Sequence, residues 1–131
     1  MSKFVGSAED FVARFESFWK PPVDPDRVGE VLADDARLVT PGMPPTQGLE
    51  EARESFRRLL SLWPDFHITV DRWSARGDAV FIEMTMHVTI GGSLLEIPAV
   101  DRFTLRDGKG VERVSYFDPA PLVQAMARGA A

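Results

Sequence analysis

The chain has 131 residues and no cysteine, and fifteen basic against twenty acidic side chains leave a net charge of -5. That length suits one domain, 1–131, with a core of its own. The missing thiols exclude a disulfide framework, a thiolate nucleophile and a cysteine-ligated metal, while the acidic balance opposes phosphate backbones and anionic membranes. The start, MSKFVGSAED, has no apolar run of signal-peptide length, and no segment has the length of a bilayer span. The expectation is a cytoplasmic protein with neither nucleic acid nor membrane among its partners.

Ser7 is placed to cap a first helix over 7–19, in which Phe11, Val12, Phe15, Phe18 and Trp19 fall at helical spacing. Pro21-Pro22 stops it, and Asp24-Pro25 opens a short second helix with Val28, Val31 and Leu32 on one side. Asp34-Asp35 reads as a solvated turn; no histidine or further carboxylate stands near enough to complete a metal site. Residues 36–40 predict a short strand with Ala36, Leu38 and Thr40 on one face and Thr40 at a mouth closed by GMPPTQG. A helix over 49–63 follows, with Leu49, Ala52, Phe56, Leu59, Leu60 and Trp63 in one stripe, and Pro64 ends it. Phe66 to Val70 alternate as a strand, and a slip in the pattern at Trp73 predicts a bulge before the turn at Gly77-Asp78.

The stretch from Ala79 to Asp118 predicts three long strands joined at Gly91-Gly92 and at a three-residue loop, Asp107 to Lys109. This register sets Ile82 against Asp101, Asp101 against Ser115 and Phe103 against Arg113. Alternation then puts Ile82, Met84, Met86, Val88, Leu95, Ile97, Ala99, Phe103 and Phe117 on one face with three polar residues, Asp101, Arg113 and Ser115. A small polar group in an apolar wall is either a satisfied structural cluster or the chemical centre of a ligand site. Asp118-Pro119 caps one closing helical turn or two, with Leu122, Val123 and Met126 on its apolar side and a frayed RGAA behind.

Helices gathered early and antiparallel strands gathered late predict an α+β protein. The segments VLADDARLVTPG, QGLEEARESFRRLL and RFTLRDGKGVERVSYFDP resemble the nuclear-transport-factor-2-like superfamily, in particular its SnoaL-like polyketide cyclase branch. The resemblance implies a cone-shaped fold with N-terminal helices packed on a curved, mostly antiparallel sheet around a pocket.

Carried over residue by residue, the resemblance points to one carboxylate. Asp101 matches the oxyanion-binding aspartate of ketosteroid isomerases, but that enzyme's base would fall at Thr40 and its tyrosine at Phe15. The carboxylates and arginine of limonene epoxide hydrolases would fall on Met86, Met84 and Ser115, and their water-positioning pair on Leu38 and Thr40. The polyketide cyclases fit best, because Asp101 of AVDRF resembles their acid/base aspartate. The family's assisting histidine has one candidate, His87, which the register puts on the outer face across from Glu96. The expected activity is cofactor-free acid/base chemistry by Asp101, of cyclase or isomerase type, on a small hydrophobic cyclic carbonyl compound. Thr40, Arg113, Ser115, Met84, Met86, Phe117, Trp63, Phe56 and Phe15 are the expected ligand-binding residues. The alternative is a non-catalytic binder in which Asp101 and Arg113 form a structural ion pair. No cofactor or metal is expected. A homodimer is expected through the outer sheet face, where Phe81, Val100, Val114 and Tyr116 lie among charged residues.

Overall fold

Four consecutive strands form an antiparallel meander in the computed structural model, which describes residues 2–130. They are β3 (His67–Arg76), β4 (Ala79–Ile90), β5 (Ser93–Arg106) and β6 (Lys109–Tyr116), and two more strands, β1 (Leu32–Val39) and β2 (Thr46–Gln47), extend the sheet. The order across it is β2-β1-β6-β5-β4-β3. β1 joins β6 in parallel, with Leu38 beside Arg113 and Val39 beside Val114, so the sheet is mixed. Helices α1 (Ser2–Phe18), α2 (Leu49–Leu62) and α3 (Ala120–Ala130) pack against its curved surface. This is the α+β architecture that the order of the elements predicts.

The long hairpins pair as expected. Ile90 faces Ser93 across Gly91-Gly92, Ile82 faces Asp101, and Met84 faces Ala99. Both turn glycines have positive φ, 59° and 81°, as a two-residue turn compatible with strand twist requires. The last turn differs from expectation. Arg106 pairs directly with Lys109, so the turn holds two residues, and the extra residue enters as an irregularity between Thr104 and Leu105. Asp101 still faces Ser115 and Phe103 still faces Arg113, because the bulge restores the phase that a longer loop would have set. The bulge in β3 falls between Val70 and Arg72, close to the predicted slip.

Helix α1 begins at Ser2, five residues before the expected start. Ser7 is therefore inside the helix, and its side chain lies outside the described residues. From Phe11 onward the aromatic stripe is core: Phe11 and Phe15 meet Phe103 edge-on at 4.8 and 5.6 Å, and Trp19 meets Phe56 and Phe66 at 5.5 and 5.6 Å. Each such pair contributes about 0.5–1.5 kcal/mol beyond the area it buries. Gly110 makes room for this packing, since a Cβ there would lie 2.8 Å from Phe103 Cδ1.

Three further boundaries differ. The second helix is a 3-10 turn, Pro25–Glu30, capped by Asp24 Oδ1, which accepts from the Asp26 amide at 2.9 Å. Leu32 has already left it for β1, and Asp34-Asp35 lie within that strand rather than in a turn. Arg106 holds Asp35 with both terminal nitrogens, at 2.7 and 3.1 Å, a solvent-exposed pair of small energetic weight. Asp118 Oδ1 accepts from the Ala120 amide at 2.9 Å, and α3 then runs on through Arg128 and Gly129, residues expected to fray. Gly129 packs on the Gly91 turn, where a Cβ on Gly91 would stand 3.2 Å from Gly129 Cα.

Candidate functional site

Met84 and Met86 on β4, Asp101 on β5 and Arg113 and Ser115 on β6 alternate toward the face that α1 and α2 only partly cover. Between that face, α2, α3 and the loop from Pro41 to Pro44 lies a cavity of about 290 Å³. Phe56 and Trp63 from α2, Thr40 beyond β1 and Phe117 beyond β6 also reach it. Phe15 does not. It borders a neighbouring void of about 20 Å³ together with Phe18, Phe103, Asp101 and Arg113, because its ring is taken up against Phe103.

Asp101 is 2% exposed. Ser115, directly opposite on β6, donates its hydroxyl to Asp101 Oδ1 in a short hydrogen bond. Arg113 is buried as well, but its Nη2 donates to Thr40 Oγ1 and, at 3.5 Å, to the Val39 carbonyl. The Asp101–Arg113 ion pair of the alternative reading is not among the salt bridges of the described residues. Thr40 captures the guanidinium, since the parallel β1–β6 pairing sets Leu38 beside Arg113 and Val39 beside Val114, and Thr40 follows directly on Val39. Burial pushes the Asp101 carboxyl above the ordinary carboxylate range, outweighing the Arg113 charge and the Ser115 hydroxyl, which both pull it down. A carboxyl in this state can donate a proton or a hydrogen bond to an oxygen and take a proton back.

The wall has parts that the sequence pattern did not assign to it. Leu38, Phe66 and Ile68 face the cavity from the sheet side, and Pro41 to Pro44 and Thr46 flank its mouth. Leu122, Val123 and Met126 of α3 complete it; their apolar spacing was visible, but not the helix's position over the open end of the sheet. The histidines stand apart. His67 and His87 stack at 4.5 Å with an interplanar angle of 8°, and His87 Nδ1 lies 3.3 Å from Glu96 Oε2. Neither lines the cavity, in keeping with the outer-face register expected for His87. Among the described residues no group of three or more potential metal ligands occurs, and no helix is long and apolar enough to cross a membrane.

A mixed, curved six-stranded sheet with helices packed against it is the nuclear-transport-factor-2-like α+β fold. The chain belongs to the SnoaL-like domain family, whose profile matches residues 8–113. No curated protein matches the sequence. Among solved structures it is similar to a Jannaschia sp. CCS1 protein assigned as a SnoaL-like polyketide cyclase, at 20% identity and a TM-score of 0.81 over 93% of this chain and 92% of that one. TerC, co-crystallised with polyporic acid, is similar at 17% identity and a TM-score of 0.82 over 92% and 98% of the two chains. An epoxide hydrolase of M. tuberculosis that resembles limonene epoxide hydrolase reaches 25% identity and a TM-score of 0.76 over 95% and 92%.

Proposed function

We propose that the chain takes a small hydrophobic, cyclic carbonyl compound into this cavity and carries out cofactor-free acid/base chemistry on it, of the cyclase or isomerase type, with Asp101 as acid and base. The observation that carries this reading is the state of Asp101: a buried carboxyl on a mostly apolar wall, held by one hydroxyl and shifted toward its neutral form. Enolisation and aldol closure both need a proton removed from carbon and returned to oxygen or carbon, and one carboxyl of raised pKa can do both. Thr40 and Ser115 orient the polar centre, while Met84, Met86, Phe56, Trp63 and Phe117 shape the apolar space. Similarity to a cyclase and to a protein crystallised with polyporic acid supports the ligand class.

Proton exchange tests this without knowledge of the substrate. Incubation with cyclic aryl ketones such as 2-tetralone in D2O should show α-proton exchange above the buffer rate in wild type and not in Asp101→Asn. Equal exchange in the two proteins would overturn the reading.

We further propose that two copies pair through the outer sheet face, where Phe81 and Tyr116 are 38% and 53% exposed. Such apolar and aromatic exposure amid charged neighbours is the composition of an interface core with a polar rim.

A further inference from the structure

Arg113 and Asp101 are the only ionisable residues bordering the cavity among those described. Arg113 is 8% exposed, and Nη2 alone donates to protein acceptors, Thr40 Oγ1 and the Val39 carbonyl. Its Nε is buried with no acceptor, and Thr46 Oγ1, another cavity residue, is buried without a partner too. A buried guanidinium with neither a carboxylate in contact nor a full set of acceptors is costly, and an anion placed beside it removes most of that cost. Guanidinium is also suited to two-pronged contact with oxygen anions. Asp101 does not fill this place: no Asp101–Arg113 contact is among the salt bridges of the described residues, and its Oδ1 is engaged by the Ser115 hydroxyl.

We propose that the ligand is an apolar ring compound bearing an acidic oxygen group, an enol or a carboxylic acid, and that it binds as the anion with this oxygen on Arg113. This rests on the cavity being the ligand site and adds the charge of what enters it. A neutral hydrocarbon of the same shape would fill the apolar wall and leave the guanidinium uncompensated.

Isothermal titration calorimetry of the full chain with 2-naphthoate and with 2-naphthamide, which differ little except in charge, tests this. The expected result is naphthoate binding at least tenfold tighter than the amide in wild type. In Arg113→Met, naphthoate binding should weaken at least tenfold while the amide changes less than twofold. Equal binding of the two probes by wild type would overturn the anion preference and leave the cavity reading standing. Binding of neither probe at millimolar concentration would overturn both. A naphthoate preference that survives in Arg113→Met would place the anion elsewhere and also refute the proposal. Should Arg113→Met not fold, Arg113→Gln provides the same comparison, and the two-probe contrast in wild type stands without any variant.

Discussion

Asp101 and Arg113 are diagonal neighbours on β5 and β6, yet the guanidinium turns to Thr40 and leaves the carboxyl to Ser115. Two buried ionisable groups on one wall thus have separate partners. This reverses the consequence that an ion pair would have had for stability, and it fixes the sign of the pH dependence.

Asp101→Asn is expected to gain stability relative to wild type as pH rises. A raised folded-state pKa means that the native state binds more protons than the unfolded chain between the unfolded and folded values, so stability falls as pH rises through that window. The amide has no such dependence. Each unit of upward shift corresponds to roughly 1.4 kcal/mol, lost progressively above a pH of about 4 and constant once Asp101 is ionised in the fold. Urea denaturation of both proteins at stepped pH measures it. A variant that instead falls further behind wild type with rising pH would indicate a buried ion pair.

Removing either neighbour should push the Asp101 carboxyl higher still. Arg113→Met deletes the larger downward influence and Ser115→Ala the smaller, so the first variant should show the greater rise in a carboxyl carbon NMR titration. Ser115→Ala should also cost about 1 kcal/mol for the lost hydrogen bond. An unmoved Asp101 in Arg113→Met would mean that the two groups are electrostatically independent.

Gly110→Ala should destabilise the fold by about 1–3 kcal/mol, the range for overpacking a filled core. The added Cβ meets the Phe103 ring, which cannot yield because Phe11 and Phe15 bracket it. Thermal and chemical denaturation would both register the change; a neutral result would show that this part of the core is loosely packed.

Epoxide hydrolysis is expected to be absent, although one similar structure is an epoxide hydrolase. Met84, Met86 and Ser115 stand where the resemblance puts that chemistry's charged groups, and neither a thioether nor a hydroxyl replaces a carboxylate base. Incubation with limonene oxide should give diol at the buffer rate. Diol formation above the buffer rate that Asp101→Asn abolishes would overturn this expectation and add epoxide opening to the chemistry of Asp101.

Self-association should be visible by light scattering at micromolar concentration and should be lost in Phe81→Glu combined with Tyr116→Glu. The variant is expected to keep the wild-type circular dichroism spectrum, since both side chains project from the outer face. A monomeric wild type would contradict the pairing.

Much of this architecture was legible because strand alternation and two-residue turns are local signals. Gly91-Gly92 placed every pair in the β4–β5 hairpin, and the slip near Trp73 announced the bulge in β3. What remained hidden depended on distant partners. Nothing near Leu32 states that β1 will lie parallel to β6, and nothing near Thr46 states that two residues will extend the sheet. Register places Arg113 on the wall but does not set the direction of a long side chain. Its turn toward Thr40 follows from the β1–β6 pairing and was illegible for the same reason. Phe15 has the right spacing for a pocket residue, but Phe103 occupies the space in front of it.

The parallel pairing of β1 with β6 also sets an order of assembly. Strands β3 to β6 follow one another through tight turns and can zip together as neighbours, whereas Val39 must find its partner, Val114, seventy-five residues away. Loop closure over such a span is entropically slow compared with hairpin formation. The contact between Thr40 and Arg113 is made across that same seam, so the polar end of the cavity depends on the pairing of greatest chain separation in the sheet. During synthesis, β1 emerges before β2, β3, β4 and β5 and must wait for β6 before its parallel partner is available.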